Sequence, residues 1–520
     1  MPNDHDNLSR RSLFQAAGGI SLLALVPRLG RTAEEPTTYH AEFAESNQAF
    51  KDNRPPVFIA LPYLQPGANA SKLVEGNESV ILAWQTDGIP AEFKVSYGLH
   101  GDEHTVEPTT KMRISGSKSE SDTRLNYAAE LTRLKLGTRY RYRVSMEGQT
   151  VLEGYFSTRK PRGHKARFVS FGDNSYGEIS DRNIAYQAYH AMPDFVMNTG
   201  DNVYESGLDN EYARYFFPVY NSDQAGPRLG GPLLRSVPFF TVLANHDVSG
   251  KHPGGGPGAD FTKYADALGY FTNMYLPLNG PVSPTPTPIF GSEPHIKIFT
   301  EAAGDRFPRM GNYSFDYGDG HFLCLDSNVY IDPTSRELQS WIEQDLQGTD
   351  AAWKIVVYHH PAFNVGLEHY DEQHMRVLCG LFEKSGVALV LSGHEHTYQR
   401  TRPLKFTPKD SGEGADVNSK TRLVPGVFQI DRQYDGVSNK RPDGILYITT
   451  GAGGKHLYDA ELNQNPKNWL HEEDNYADYV AKVITDRHSL TVIDMDSRSL
   501  VMRQVDQWGN EIDRWDILKG

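Results

Sequence analysis

The chain has 520 residues, 38% hydrophobic and 23% charged, enough for two or three domains and a sizeable core. A formal net charge of −14 argues against a general nucleic-acid binder, which needs a basic face. Two cysteines without a CxxC spacing, Cys324 and Cys379, exclude a thiolate zinc site and a disulfide-stapled scaffold.

In chain order, residues 1–33 read as an address. Ser9-Arg10-Arg11-Ser12-Leu13-Phe14 precedes a mildly apolar run, Ala16 to Val26, too short for a confident membrane span. The paired arginines and weak hydrophobicity favour a twin-arginine export signal over an ordinary basic n-region, and a retained N-terminal anchor stays open. No other run approaches the length of a membrane helix, so the mature chain is expected to have no stable span. Residues 34–55 are polar, lack periodicity and read as a linker.

Residues 56–158 carry only strand signals. Val80–Trp84, Phe93–Tyr97, Tyr127–Leu131, Tyr140–Val144 and Leu152–Phe156 are short, aromatic or β-branched, and separated by Gly, Pro, Asp and Asn. The spacing predicts an all-β sandwich. Trp84 and the Leu136–Tyr142 stretch resemble fibronectin type III patterning.

After a basic hinge, Arg159–Lys165, strands alternate with helices. Arg167–Phe171, Asp194–Met197, Phe239–Leu243, Phe322–Leu325, Lys354–Tyr358, Ala388–Leu391 and Ile445–Thr449 read as strands. Ser180–His190, Ser335–Leu346 and Glu372–Ser385 read as helices, with Ser335 as an N-cap before Leu338, Ile342 and Leu346. This is an α/β layered domain, β-sheets flanked by helices, bounded at 166–506, with 507–520 left as a C-terminal tail. Tyr479–Asp494 and Leu500–Trp515 nonetheless show strand-like alternation. Two insertions, Gly250–Gly304 with its Gly254-Gly255-Gly256 and Thr407–Arg441, follow the chemical motifs and are expected either to overhang the site or to be plain surface loops.

Five blocks carry the chemistry: Gly172-Asp173, Gly200-Asp201-Asn202-Val203-Tyr204, Asn245-His246-Asp247, His359-His360-Pro361 and Gly393-His394-Glu395-His396. Each alone is compatible with turn chemistry. Gly-His-x-His is stronger, because residues i and i+2 of an extended segment point to one side. Strand ends of α/β sheets are where ligand sites form, and carboxylate, phenol, amide and imidazole groups at successive ends point to a two-metal site, of the kind that hydrolyses phosphate esters.

The blocks resemble the purple acid phosphatase family of the calcineurin-like metallophosphoesterase superfamily. Pro62-Tyr63-Leu64-Gln65 and Ile81–Thr86 are similar to that family's N-terminal domain, and Gly393–Arg400 to its last motif. The resemblance implies one metal on Asp173, Asp201, Tyr204 and His396 and a second on Asp201, Asn245, His359 and His394, with Asp201 bridging. His359 rather than His360 is the implied ligand, because the family's ligand stands two residues before the Pro. Ser175 stands where many metallophosphoesterases place a ligand histidine, while Tyr204 stands where the purple phosphatases place an iron-ligating phenol. A phenol, with a reference pKa of about 10, ligates as phenolate only beside a strongly polarising ion. The implied cofactors are Fe(III) plus a divalent Zn, Mn or Fe. Ala244 replaces the family's usual Gly before Asn245.

The expected function is an exported acid phosphatase that hydrolyses phosphate monoesters through attack by a metal-activated hydroxide, with His246 and His369 as substrate-facing histidines. The expected partners are a small phosphorylated substrate and the twin-arginine export machinery, with no nucleic acid. The alternatives are a phosphodiesterase or nucleotidase on the same fold, including an iron-containing, twin-arginine-exported alkaline type whose cysteine ligand is not evident here, and a non-catalytic surface-binding protein using the sandwich.

Overall fold

The computed structural model describes residues 54–519 apart from 77, 101–102, 115–122, 249–257, 282–285, 367, 416, 418–422 and 459–478. The expected export signal with Arg10 and Arg11, the linker up to residue 53 and Gly254–Gly256 lie outside the described residues. Among the described residues no helix is long and apolar enough to cross a membrane.

Strands β1 (Phe58–Gln65), β2 (Glu78–Asp87), β3 (Phe93–Gly98), β4 (His104–Val106), β5 (Thr109–Ile114), β6 (Thr123–Leu134), β7 (Arg139–Met146) and β8 (Gln149–Ser157) form two four-stranded antiparallel sheets, ordered β1-β2-β6-β5 and β4-β3-β7-β8. Strand β7 shows how the sequence makes this layer. Tyr140, Tyr142, Val144 and Met146 are buried while the residues between them are half-buried or exposed, the period of two expected of a strand with one wet face. Inside, the Trp84 ring stacks on Tyr127 with centroids 5.4 Å apart and meets Phe93 edge-on at 5.1 Å. The all-β expectation for this segment therefore holds.

The following layers contain β9 (Ala166–Phe171), β10 (Phe195–Asn198), β11 (Phe239–Thr241), the short ladder β12 (Ala259–Asp260) and β13 (Ile289–Phe290), β14 (Tyr313–Tyr317), β15 (Gly320–Cys324), β16 (Trp353–Val357), β17 (Leu389–Ser392) and β18 (Tyr398–Thr401). Then come the hairpin β19 (Leu404–Pro408) and β20 (Gly426–Ile430), β21 (Leu446–Thr450), β22 (Val480–Ile484), β23 (Ser489–Met495), β24 (Ser499–Asp506) and β25 (Glu511–Leu518). They build a six-stranded sheet, β11-β10-β9-β23-β24-β25, and a seven-stranded sheet, β14-β15-β16-β17-β21-β18-β22. Phe168 of β9 meets Phe322 of β15 edge-on at 5.3 Å, so an aromatic core fills the space between the sheets. Helix Arg336–Gln347, capped by Ser335, lays Leu338, Ile342 and Leu346 on the outer face of the second sheet with Phe382.

Strands β9, β10 and β11 run parallel, as do β15, β16, β17 and β21. Their carboxyl ends meet: Gly172 N donates to Thr450 O at 3.0 Å and Asp173 N to Gly200 O at 3.0 Å. Two of the five chemical blocks follow these strands directly, two more begin one residue further on, and the fifth, Asn245-His246-Asp247, begins four residues beyond β11.

Three expectations need correction. Residues 507–520 are no tail: β25 pairs with β24 along its length and buries Trp515, because its alternating apolar residues complete the first sheet beyond Asp506. The described part of the 250–304 insertion is no plain surface loop: Tyr270 donates to the Thr241 carbonyl at the end of β11 at 3.1 Å. Its helix Glu293–Ala303 packs on β5 of the sandwich, with Phe299 beneath the Arg113 guanidinium at 5.6 Å. The 407–441 insertion supplies half of the β19–β20 hairpin, whose Phe406 and Phe428 rings sit 4.9 Å apart and pack around Phe363. Cys324 and Cys379 are free and buried, as small apolar residues are.

The sandwich and the sheets share one compact unit. Tyr63 donates to the Asn273 carbonyl at 2.8 Å, and Arg124 pairs with buried Asp209 at 2.9 Å.

Candidate metal centre

The blocks bend sharply where their strands stop. Asp173, Asp201 and His394 have φ of 59°, 49° and 67°, and Ser175 has 61°. Left-handed backbone at residues with a side chain carries strain, which tertiary structure holds at functional sites. Gly200 has no such latitude. A Cβ there would stand 2.7 Å from the Ala244 side chain and 2.9 Å from His359 Nδ1, so only glycine lets the Asp201 turn approach both loops.

Two groups of donors share one carboxylate. The phenol of Tyr204 donates to Asp201 Oδ2 at 2.9 Å and stands 3.2 Å from both Asp173 Oδ1 and His396 Nε2. On the other side of Asp201, His359 Nε2 lies 3.4 Å from Oδ2 and 3.2 Å from His394 Nδ1. Asp201, His359 and His394 present ligand atoms within 4.8 Å of one another. Asn245 Oδ1 is buried with no hydrogen-bond partner, and the next amide, His246 N, donates to Asp201 Oδ1 at 2.9 Å. An amide oxygen left bare at such a place suits a cation.

The outer nitrogens of the three histidines are all occupied. His359 Nδ1 donates to Thr199 O at 2.8 Å, His396 Nδ1 to His456 O at 2.8 Å, and His394 Nε2 to Glu372 Oε2 at 2.9 Å. Each bond commits the outer nitrogen and orients the ring with its inner nitrogen towards the other donors, as in metal-ligating imidazoles. His360 points elsewhere, with Nδ1 2.8 Å from Ser327 Oγ. Its Nε2 still approaches Glu372 at 3.9 Å, in a further group with Glu372 and His394.

His246 turns Nδ1 to the Glu205 carbonyl at 2.8 Å, which frees Nε2, and its side chain keeps 32% exposure at the rim. The ring lies 4.5 Å from that of Tyr204. His369 joins the cluster as well. Its ring is 3.8 Å from His394, with Nε2 3.4 Å from Tyr458 Oη.

Electrostatics mark the same place. Burial pushes the Asp173 carboxyl up, whereas Asp201, equally buried, is held well below the usual range by His359 and His246. Burial, with Asp201 and Asp173 alongside, drives the Tyr204 phenol well above its ordinary value. Burial lowers His394 strongly and His396 to about 3, which keeps both neutral and able to bind a cation. Burial would lower His359 too, but Asp201 raises it to about 9. A phenol pressed against two carboxylates stays protonated unless a multivalent cation reverses the local field.

The calcineurin-like phosphoesterase family matches residues 167–398. The chain carries a calcineurin-like phosphoesterase domain. Purple acid phosphatase 17 of Arabidopsis thaliana is 26% identical over 286 residues, 52% of this chain and 75% of that protein. Purple acid phosphatase 21 of the same plant is 34% identical over 340 residues, 63% of this chain and 65% of that protein. Among solved structures, a purple acid phosphatase from yellow lupin seeds superposes with a TM-score of 0.58 at 17% identity, covering 90% of this chain and 75% of that one. A structure of PhoD gives 0.51 at 14% identity, covering 90% of this chain and 95% of that one. These likenesses establish the fold of the phosphoesterase domain together with its preceding β-layer.

Glu372 and Lys455 escaped sequence reasoning as part of the centre, and Asp247, a member of a chemical block, had no role assigned. Glu372 orients His394, and its spacing of three from His369 was the available signal. Asp247, raised to about 8 by burial, accepts from Asn202 N at 3.2 Å, Asn202 Nδ2 at 3.0 Å and Ala244 N at 3.2 Å, and so stitches the Asp201 and Asn245 loops. Lys455 follows a Gly-Ala-Gly-Gly run at the end of β21.

Proposed function

We propose that this protein is a binuclear-metal acid phosphatase that hydrolyses phosphate monoesters. The observation that carries the reading is Asp201, whose Oδ2 lies between the Tyr204 phenol and His359. Relatives named purple acid phosphatases over more than half the chain support it.

Asp173, Asp201, Tyr204 and His396 would hold Fe(III), and Asp201, Asn245, His359 and His394 a divalent ion. When bound, the pair would neutralise phosphate oxygens and acidify water. The chain's own residues supply the rest. His246, its Nδ1–H committed to the Glu205 carbonyl, acts as the imidazolium: its Nε2–H passes its proton to the leaving oxygen as the P–O bond breaks and the ring is left neutral. His369, held up from its ordinary value by Glu372 against the lowering effect of burial, presents positive charge to phosphate. Buried Glu372 and Asp247 hold the ligand loops so that donor positions do not wait on reorganisation.

The deciding experiment is a metal assay on the purified protein with a visible spectrum, alongside turnover of a phosphate monoester and a diester. Iron with a divalent ion, a phenolate-to-iron band and preference for the monoester are expected. Full activity in iron-free protein sinks the iron assignment, and undiminished turnover in His359→Ala sinks the centre. Faster turnover of the diester moves the reading to the phosphodiesterase alternative.

The Ser9–Phe14 motif supports export by the twin-arginine route, which carries folded proteins and suits a chain loaded with metal beforehand. Replacing Arg10 and Arg11 by lysine is expected to leave activity inside the cell; export that continues unchanged refutes that route.

A further inference from the structure

After Thr450 the chain runs Gly451-Ala452-Gly453-Gly454-Lys455. A side chain on Gly453 would put its Cβ 2.0 Å from the Gly172 carbonyl oxygen, so this segment lies against the Asp173 turn only because it is bare. Gly453 N donates to Gly172 O at 3.1 Å, and Lys455 N to Asp173 O at 2.9 Å. The backbone of Lys455 is thereby tied to the residue that faces the Tyr204 phenol.

The side chain of Lys455 is 5% exposed. Its ammonium lies 3.2 Å from the centroid of the Tyr176 ring and 4.5 Å from that of Tyr204, two rings that meet edge to face at 6.1 Å. Among the described residues the carboxylate against it, Glu205 Oε1 at 2.6 Å, belongs to a side chain 57% exposed, where solvent weakens its field. The buried cation therefore acts on the aromatic faces more than its counter-ion does.

We propose that Lys455 is an electrostatic tuning residue for Tyr204. A positive charge held against the ring withdraws density from the phenolate, makes it a weaker donor to ferric iron and keeps that ion electron-poor. The inference rests on the iron reading above and adds to it a residue that touches neither metal nor substrate. It also fixes a sign. Removing the charge must make the phenolate a better donor, which lowers the energy of phenolate-to-iron charge transfer and favours the ferric over the ferrous state. A lysine that merely fills space has no such signed effect.

The test uses the full-length, iron-loaded protein with three variants and two readouts, the position of the charge-transfer band and the reduction potential of the iron. Lys455→Met keeps the length and loses the charge; the band is expected at longer wavelength and the potential lower. Lys455→Arg keeps the charge and restores both towards wild type. Glu205→Gln removes the counter-ion and is expected to move the band to shorter wavelength. A Lys455→Met band at the wild-type position, or one displaced in the same direction as Glu205→Gln, overturns the proposal. Should Lys455→Met fail to fold, Lys455→Gln removes the same charge, and its band at the wild-type position overturns the proposal. If wild type has no such band, or Tyr204→Phe retains it, the iron reading itself falls and takes this inference with it.

Discussion

Glu372 Oε2 holds the outer nitrogen of His394 at 2.9 Å, and that single bond turns the inner nitrogen to within 3.2 Å of His359 Nε2. The pairing of a carboxylate with a ligand histidine raises ligand basicity and fixes ring orientation. Glu372→Ala is accordingly expected to weaken binding of the second metal by about 10- to 100-fold, measured by competition with a chelator. Glu372→Gln, which can still accept from Nε2, should lose less. Equal affinities across the three proteins would show that packing alone orients His394.

In the proposed reaction His246 protonates the leaving group, with its Nδ1 held by the Glu205 carbonyl and its side chain 32% exposed. His246→Ala is expected to lower kcat by roughly 100- to 10,000-fold for an alkyl phosphate. For a nitrophenyl phosphate, whose leaving group needs no proton, the loss should be much smaller. An equal loss on both substrates would assign His246 to phosphate binding instead.

A third expectation concerns pH. His321 is clamped between Asp316 Oδ1 and Asp345 Oδ2, each at 2.8 Å, with Ser314 bonded to Asp345 and Arg162 3.1 Å from Asp316. Burial alone would lower this imidazole, but the two carboxylates raise it to about 9 from 6.5. A value raised on folding stabilises the protein fully below the unfolded value and loses that contribution as pH climbs through the folded one. The shift corresponds to about 3 kcal/mol, present below pH 6.5 and gone above pH 9. The difference in unfolding free energy between wild type and His321→Gln should therefore shrink across that window. A pH-independent difference refutes the clamp as a titrating element.

The junction of the β-layer with the phosphoesterase domain turns on a buried ion pair. Asp209, fully buried, accepts from Arg124 at 2.9 Å and from Asn273 at 2.9 Å. Asp209→Ala leaves the guanidinium buried without its charge partner and is expected to cost about 3–5 kcal/mol in denaturant unfolding. Replacing both residues with apolar ones should recover much of that loss, whereas a loss below 1 kcal/mol for the single variant, on the order expected of an exposed pair, would show that solvent reaches the site.

By itself the sequence determined the two-part architecture and the constellation. Alternation in Arg139–Met146 specified a half-wet strand, the apolar spacing of Leu338, Ile342 and Leu346 specified a helix, and acids and imidazoles after successive strands marked one edge of a parallel sheet. These are local signals, written into side-chain periodicity. Tertiary structure decided the rest. Glu511–Leu518 alternates like a strand in sequence, but only its pairing with β24 makes it the edge of the first sheet rather than a tail. The helix bearing Phe299 packs on the sandwich, where the buried Arg113 guanidinium lies over the ring. Glu372, Asp247 and Lys455 act through contacts made by chain segments far apart in sequence. Their residue types are ordinary, and only the fold places a carboxylate behind His394 and an ammonium against the ring of Tyr204.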